Sequence, residues 1–555
     1  LAISIRANSD ILGININGIT QKLSQFADDT CLVTIFSAQS LNAIIKTFDN
    51  FEAMVGLKIN YDKTDILRLG SLKNSNAKLY TQKPLNWTND PLVILGIRIA
   101  QDNASLIENN YPLLLVKMEN LVKIWKMRNL TLYGKSLISK SLLISQLIYQ
   151  LSILPSPTLE YFRHVNKIIS DFMWDGKPPR LAREIIVLPY DKGGLKLTDI
   201  ELMAKGLKIA WLKRIFSKEN SELLSLAKSS VPYFDILILN SNLQKKDFER
   251  ISKNQNTNIW SEIVNAWCEY SFSTPHTLND ILTQPLWFNS HIRMENRPYI
   301  DEGLHEMGIN HISDIVNNQG QLKSFLDVGI IPNQHKLIMA YNQIVSSIPQ
   351  NWKQTIRDSF TMDHIEHEDR DIPINKILTS NKVPRLIYSE IMEKREGDFS
   401  RKIKWESDLQ ITITNEKWYG FFSNIYSSTI YNKLRNFQFK LLHRIVTTNI
   451  DRFKWGLIPS NNCQFCGLEP ETYIHLFIDC KYTKILWTKF FVWLNRVSHL
   501  HMEIGNNIQK ADIIFGLENN NSLDTLLNTL LYIVKQYIYA VKCADRKPNL
   551  NEVYK

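Results

Sequence analysis

At 555 residues the chain is too long for a single domain, and 44% hydrophobic with 22% charged residues describes a core-forming protein, which excludes wholesale disorder. A net charge of +10 favours a polyanionic partner, nucleic acid being the commonest. Six cysteines are too few for the disulfide framework of a secreted chain, and no apolar stretch is long enough to span a membrane, so a reducing, intracellular setting (nucleus and cytoplasm) is expected.

Residues 1 to about 105 alternate short apolar runs, such as Ile11–Ile19, Leu32–Phe36 and Val93–Ile99, with Gly and Asn punctuation that suits strands and hairpins. One helix is predicted there over Ser40–Val55, where Leu41, Ile44, Ile45, Phe48 and Phe51 recur at helical spacing and Gly56 stops it. From about 111 the period becomes helical, predicting helices over Leu113–Arg128, Leu132–Leu151 and Glu160–Met173, with Pro155 and Pro157 as breakers. A turn at Lys192-Gly-Gly-Leu195 precedes a basic helix over Glu201–Phe216. Residues 217–410 read as a helical connecting region without a catalytic constellation, 411–510 as a compact cysteine-bearing module, and 511–555 as ending in an apolar helix near Leu523–Val541. The expected fold class is α+β: an antiparallel sheet with a helix at the start, largely helical regions after it, and a small metal-binding module.

Two motifs carry chemistry of their own. In Phe26-Ala27-Asp28-Asp29 a tight turn between apolar runs places two carboxylates side by side, a hard-oxygen site suited to Mg²⁺ and phosphate oxygens, although a solvated acidic turn has the same pattern. Polynucleotide transfer uses two such ions, one activating the attacking hydroxyl and one stabilising the leaving pyrophosphate. The second motif is Cys463-Gln-Phe-Cys466 followed by His475 and Cys480. A Cys-x-x-Cys knuckle wraps two thiolates onto one metal, and a His and a Cys five apart complete a tetrahedron. Four protein ligands with no open position mean structural Zn²⁺ rather than catalysis.

Two basic stretches accompany them. Lys117, Lys123, Lys126, Arg128, Lys135 and Lys140 stand against one acid, Glu119, and Lys433, Arg435, Lys440, His443, Arg444, Arg452 and Lys454 are laced with Tyr431, Phe437, Phe439, Phe453 and Trp455. Such charges hold phosphates without reading sequence. Rings spaced like Phe437 and Leu441 are more often core, so only the charges of the second stretch are taken as contacts.

Taken in order, Phe26-Ala27-Asp28-Asp29, a helix, Gly56-Leu57-Lys58-Ile59-Asn60 through Lys63-Thr64, then Leu95-Gly96-Ile97, the sequence resembles the palm of non-LTR (LINE-type) retrotransposon reverse transcriptases. The likeness continues through Trp125…Lys135, Phe172-Met-Trp174 and Gly193-Gly194-Leu195, and Glu471…Trp487 is similar to the zinc-binding domain that follows the polymerase in these elements. The resemblance implies an RNA-directed DNA polymerase in which Asp28 and Asp29 are the catalytic, Mg²⁺-binding pair. Lys58 or Lys63 would neighbour the incoming triphosphate, and Leu95, Gly96 and Ile97 would grip the primer end. Lys123, Lys126, Arg128, Lys135, Lys440 and Arg444 would contact RNA template and DNA primer or target. Residues 1–105 would be the C-terminal part of the palm, 106–216 the thumb and 411–510 the zinc-binding domain. The family supplies a further metal-binding Asp and a Gly-rich pocket segment upstream, and neither is present, so the chain is expected to be a fragment inactive without the parent's N-terminal half (endonuclease, fingers and upstream palm). The alternative is a non-catalytic, zinc-containing nucleic-acid-binding remnant, or a decayed element copy with no selected role.

Overall fold

In the N-terminal region the apolar runs are only three or four residues long between turn signals, and they pair in twos. A computed structural model describes residues 1–16, 18–81, 83–217, 221–252, 258–359, 373–497, 508–518 and 521–553; stretches of the predicted connecting region, of the 411–510 module and of the C-terminal tail fall outside the described residues. Strand β1 (Ile14–Ile16) pairs antiparallel with β2 (Ile19–Gln21), and β3 (Leu23–Phe26) pairs antiparallel with β4 (Asp29–Leu32). The parallel pair is β5 (Asp65–Leu67) with β6 (Asn86–Thr88), and β7 (Leu92–Ile94) forms an antiparallel hairpin with β8 (Ile97–Ile99). The predicted helix is present as Ala38–Val55; it starts earlier because Ser37 caps it, its side chain accepting from the Ser40 N–H, and it ends at Gly56 with φ +75°. Ile44 and Phe48 of this helix pack with Ile5 and Ile11 in a small core.

The Val93–Ile99 run, which suits strands and hairpins, is a hairpin with Leu95 and Gly96 at its tip. Leu95 and Gly96 have φ of +50° and +78°, and Ile94 pairs with Ile97 across them. Positive φ at both central residues is the tight hairpin turn that glycine favours.

Beyond residue 100 the chain is helical, and the periodic segments are found close to where they were predicted: Leu159–Met173, Ile200–Ile215 and Ser522–Cys543. The run from Leu132 to Ile153 is helical with a wide π turn at Ser139–Ile144. The helix predicted from Leu113 begins at Asn103 and runs to Lys126, with Pro112 inside it. A proline there removes one backbone donor. Burial of Tyr111, Leu114, Met118 and Val122 on one stripe carries the helix through it.

The described residues fall into two packing units, each assembled from three stretches: residues 1–116, 147–162 and 200–389 in the first, and 117–146, 163–199 and 390–555 in the second. In the first, Trp287 sits in a core with Ile312, Ile344 and Trp352, its indole N–H donating to Ile309 O at 2.8 Å. In the second, Phe422, Leu441, Leu442, Tyr532 and Ile538 are buried. There the Gly193-Gly194 turn has a packing reason, because a Cβ on Gly194 would sit 1.8 Å from Leu188 O. Gly193 O lies 2.7 Å from His443 Nε2. No described helix is long and apolar enough to cross a membrane.

Candidate metal centre

A Cys-x-x-Cys turn folds on itself because its own backbone closes it. The Gly467 N–H donates to Cys463 O at 2.8 Å and Cys463 N–H to Glu469 O at 2.7 Å, and Gly467 adopts φ +69° to make the reversal. The second ligand pair uses a different device. Residues His475–Asp479 form a π turn in which Cys480 N–H reaches back five residues to His475 O at 2.8 Å. An ordinary α turn overlays residues three or four apart, whereas this widened one brings a His and a Cys five apart onto one side.

The four ligand atoms of Cys463, Cys466, His475 and Cys480 lie within 4.8 Å of one another. Cys463 Sγ is 3.8 Å from Cys480 Sγ, and Cys466 Sγ is 3.3 Å from His475 Nε2. A tetrahedral Zn²⁺ with thiolates at about 2.3 Å requires sulphurs roughly 3.8 Å apart, so the donor set and its spacing fit zinc. Cys463, His475 and Cys480 are buried and Cys466 is half-buried, and four protein ligands would fill a tetrahedron with no position open for substrate. The hydrogen bond from Cys463 holds the Cys480 thiol down to about 5 and pushes the Cys463 thiol up. Burial opposes ionisation of Cys466, but the N–H groups of Leu468 and Glu469 outweigh it and carry that thiol below its ordinary range.

Surrounding contacts orient these ligands. His475 Nδ1 lies 2.8 Å from Glu469 Oε2 without hydrogen-bond alignment, a carboxylate close behind the imidazole, while Nε2 faces Cys466 Sγ. Glu471 is fully buried and holds three elements together. It accepts from Gln464 N–H inside the knuckle at 2.9 Å and from Asn449 N–H at 2.8 Å, and it pairs with buried Lys542 of the Ser522–Cys543 helix at 2.9 Å. Sequence reasoning assigned no role to Glu471 or Lys542. The available signal was a lysine inside an otherwise apolar helical stripe, which needs a buried partner.

The other predicted site residues are distributed as follows. Asp28 and Asp29 are exposed at the β3–β4 turn, with Phe26 opposite Asp29 and Ala27 at φ +52°. Among the described residues no third His, Cys or carboxylate joins them in a metal-ligating group. Lys58 and Lys63 are exposed, Lys63 at the end of a short 3₁₀ turn. Leu95 and Gly96 form the hairpin tip, where Leu95 O accepts from the Tyr149 hydroxyl at 2.9 Å, and the Ile97 side chain is buried. Lys123, Lys126 and Arg128 are exposed, with the Arg128 guanidinium 4.8 Å from the Trp125 ring centroid. Two expected phosphate contacts are turned inward instead. Lys135 is buried and donates to Asp175 at 2.6 Å. Arg444 pairs with Asp408 at 2.5 Å and stacks between Trp405 and Tyr473, at 4.4 and 4.8 Å. Lys440 is half-buried.

Residues 399–487, which enclose all four ligands, match the family described as zinc-binding in reverse transcriptase. The chain is also similar over 93% of its length to the transposon TX1 uncharacterized 149 kDa protein of Xenopus laevis, at 21% identity over 569 residues, and it spans 42% of that relative's length. These matches agree with the resemblance read from the motif order: a segment similar to the reverse-transcriptase zinc-binding family lies within a chain similar to a transposon protein.

Proposed function

We propose that this retrotransposon-related chain is the nucleic-acid-holding part of an RNA-directed DNA polymerase, with a zinc-folded domain and an exposed basic helix end as its gripping parts. The observation that carries the reading is the closed Cys₃His cluster inside the segment that matches the reverse-transcriptase zinc-binding family. Zinc there supplies folding energy, and the chain's own cations supply affinity. Lys123, Lys126 and Arg128 follow one another around the C-terminal end of the Asn103–Lys126 helix, exposed, where basic charge also complements the helix dipole.

Binding to RNA or to an RNA–DNA hybrid should therefore be tight at low salt, tolerant of sequence, and steeply salt-dependent. Reversing Lys123, Lys126 and Arg128 to Glu together should weaken all sequences alike and flatten the slope of log affinity against log salt by about two to three units. Fluorescence anisotropy across a salt series measures this. Unchanged affinity, or loss for one sequence only, contradicts the assignment.

In the whole polymerase, Asp28 and Asp29 would hold Mg²⁺ for nucleotidyl transfer, which makes the alternative, a non-catalytic binding remnant, a matter of the ligands around them. Two carboxylates on one turn cannot fix two ions in line with a primer and a nucleotide, and no third ligand gathers there among the described residues. The 555-residue chain is thus expected to give no RNA-templated primer extension with Mg²⁺. A longer polypeptide that adds the upstream polymerase region should give it, and there Asp28→Ala should abolish extension while template binding stays nearly intact. Extension by the chain alone contradicts this account.

A further inference from the structure

Several cations in and beside the zinc-binding segment are paired inside the protein. Arg435 donates to Thr429 O at 2.6 Å and Tyr426 O at 3.0 Å, Arg444 is held by Asp408, and Lys542 is held by Glu471. A different arrangement surrounds Trp455, the residue that ends the Asn449–Lys454 helix. Trp455 is 52% exposed. Arg180 lies over this ring, 5.1 Å from the centroid, and is fixed there by donating to Ile445 O at 2.7 Å and Thr447 Oγ1 at 2.8 Å. The guanidinium therefore covers only part of the indole, and the remainder is open to solvent.

The charge beside this ring is unbalanced. The ammonium of half-buried Lys440 has no hydrogen-bond or ion-pair partner among the described residues. Burial first, and then the nearby charges of Arg180 and Lys135, disfavour its ammonium, with Asp175 opposing them. Asp175 is itself engaged by Lys135 at 2.6 Å. Three cations thus share one carboxylate; one of them, Arg180, lies over the exposed indole, which exposed Lys454 precedes in the chain. A cationic ligand would be repelled here, and a purely apolar one would leave the charge unmet. An anion attached to a flat ring satisfies both features.

We propose that Trp455, Arg180 and Lys440 form a binding site for single-stranded nucleic acid, in which an unpaired base stacks on the open part of the indole and its phosphodiester is neutralised by Arg180 and Lys440. The inference rests on the nucleic-acid-binding reading above and adds to it the strandedness of the ligand. A base inside a duplex is already stacked on both faces and cannot reach an indole, whereas a splayed base in a single strand can. It adds a ring to the charges expected as contacts in this segment, since Trp455 is exposed as Lys454 is.

The test uses the full zinc-loaded chain, a fluorescein-labelled unstructured single-stranded RNA, and a duplex RNA of the same sequence. Trp455→Ala should lose about tenfold in affinity for the single strand and less than twofold for the duplex. Trp455→Phe, which keeps a stacking face, should recover most of the loss. Arg180→Gln and Lys440→Gln should each lower single-strand affinity and its salt slope. Unchanged zinc content and circular dichroism identify variants that remain folded, as expected for a residue this exposed. Trp455→Ala binding single strands as well as wild type overturns the proposal, as does an equal loss on both ligands. A wild-type chain that binds duplex alone overturns the proposal but leaves the broader reading standing; one that binds neither overturns both.

Discussion

Stripping zinc from the chain is expected to unfold residues of roughly 415–490 while the first packing unit stays folded. Structural zinc contributes on the order of 10–16 kcal/mol of apparent binding energy in small zinc-folded peptides, comparable to the whole stability of a domain. The reason is local here. Cys463, His475 and Cys480 are buried and Cys466 is half-buried, so two of the three sulphurs and the imidazole converge where water hardly reaches them. Without a cation, the buried thiolate that Cys480 favours has only hydrogen bonds to hold it. Glu471 and the buried Leu476 and Phe477 tie these turns to their neighbours, and the metal is the one group that would join all four ligand side chains. A strong chelator should expose this segment to limited proteolysis and remove part of the helical signal, with recovery on adding Zn²⁺ back. Cys480→Ala should behave like the chelated protein. Identical cleavage patterns and melting curves with and without chelator contradict a structural role for the metal.

The second large effect is expected at Glu471. Breaking a buried ion pair by removing one partner costs about 3–5 kcal/mol, because the other charge is left without compensation. Glu471→Ala would strand Lys542, whose remaining partner is Thr447 O at 2.8 Å, and would also orphan the N–H groups of Asn449 and Gln464. Lys542→Met should cost less, since Glu471 keeps both backbone donors. The two variants should therefore be unequal, Glu471→Ala being the worse, and the double variant should fall well short of the sum of the two. Chemical denaturation of each protein measures the difference. A Glu471→Ala midpoint indistinguishable from wild type would mean that this contact does not tie the knuckle to the Ser522–Cys543 helix.

Features written into short, local patterns were the ones legible from sequence. Four zinc ligands within one loop and turn are visible because ligand spacing is a local constraint. The Leu159–Met173, Ile200–Ile215 and Ser522–Cys543 helices are visible because their apolar periodicity is unbroken. Pro112 hid the first turns of the Asn103–Lys126 helix, since a proline read alone is a breaker, whereas packing of Tyr111 and Leu114 on either side keeps the helix going. The partner of a charged side chain is not a local property. Lys135 and Arg444 look like phosphate contacts until Asp175 and Asp408 are found against them, and Glu471 acquires its role only when Lys542 folds back onto it. Rings follow the same logic. Phe437 and Phe439 lie at core spacing on a two-sided helix and are buried, whereas Phe453 and Trp455 lie on and just after a helix of six residues, too short to define a stripe, and stay exposed.

The account turns on the metal centre, and zinc-edge X-ray absorption combined with elemental analysis of chain purified under reducing conditions tests it most directly. One zinc per chain with three sulphur neighbours and one nitrogen is the predicted result, changing to two sulphurs in Cys466→Ala. A chain with no stoichiometric zinc, or with a shell dominated by oxygen, would contradict the assignment of Cys463, Cys466, His475 and Cys480 as a closed structural site.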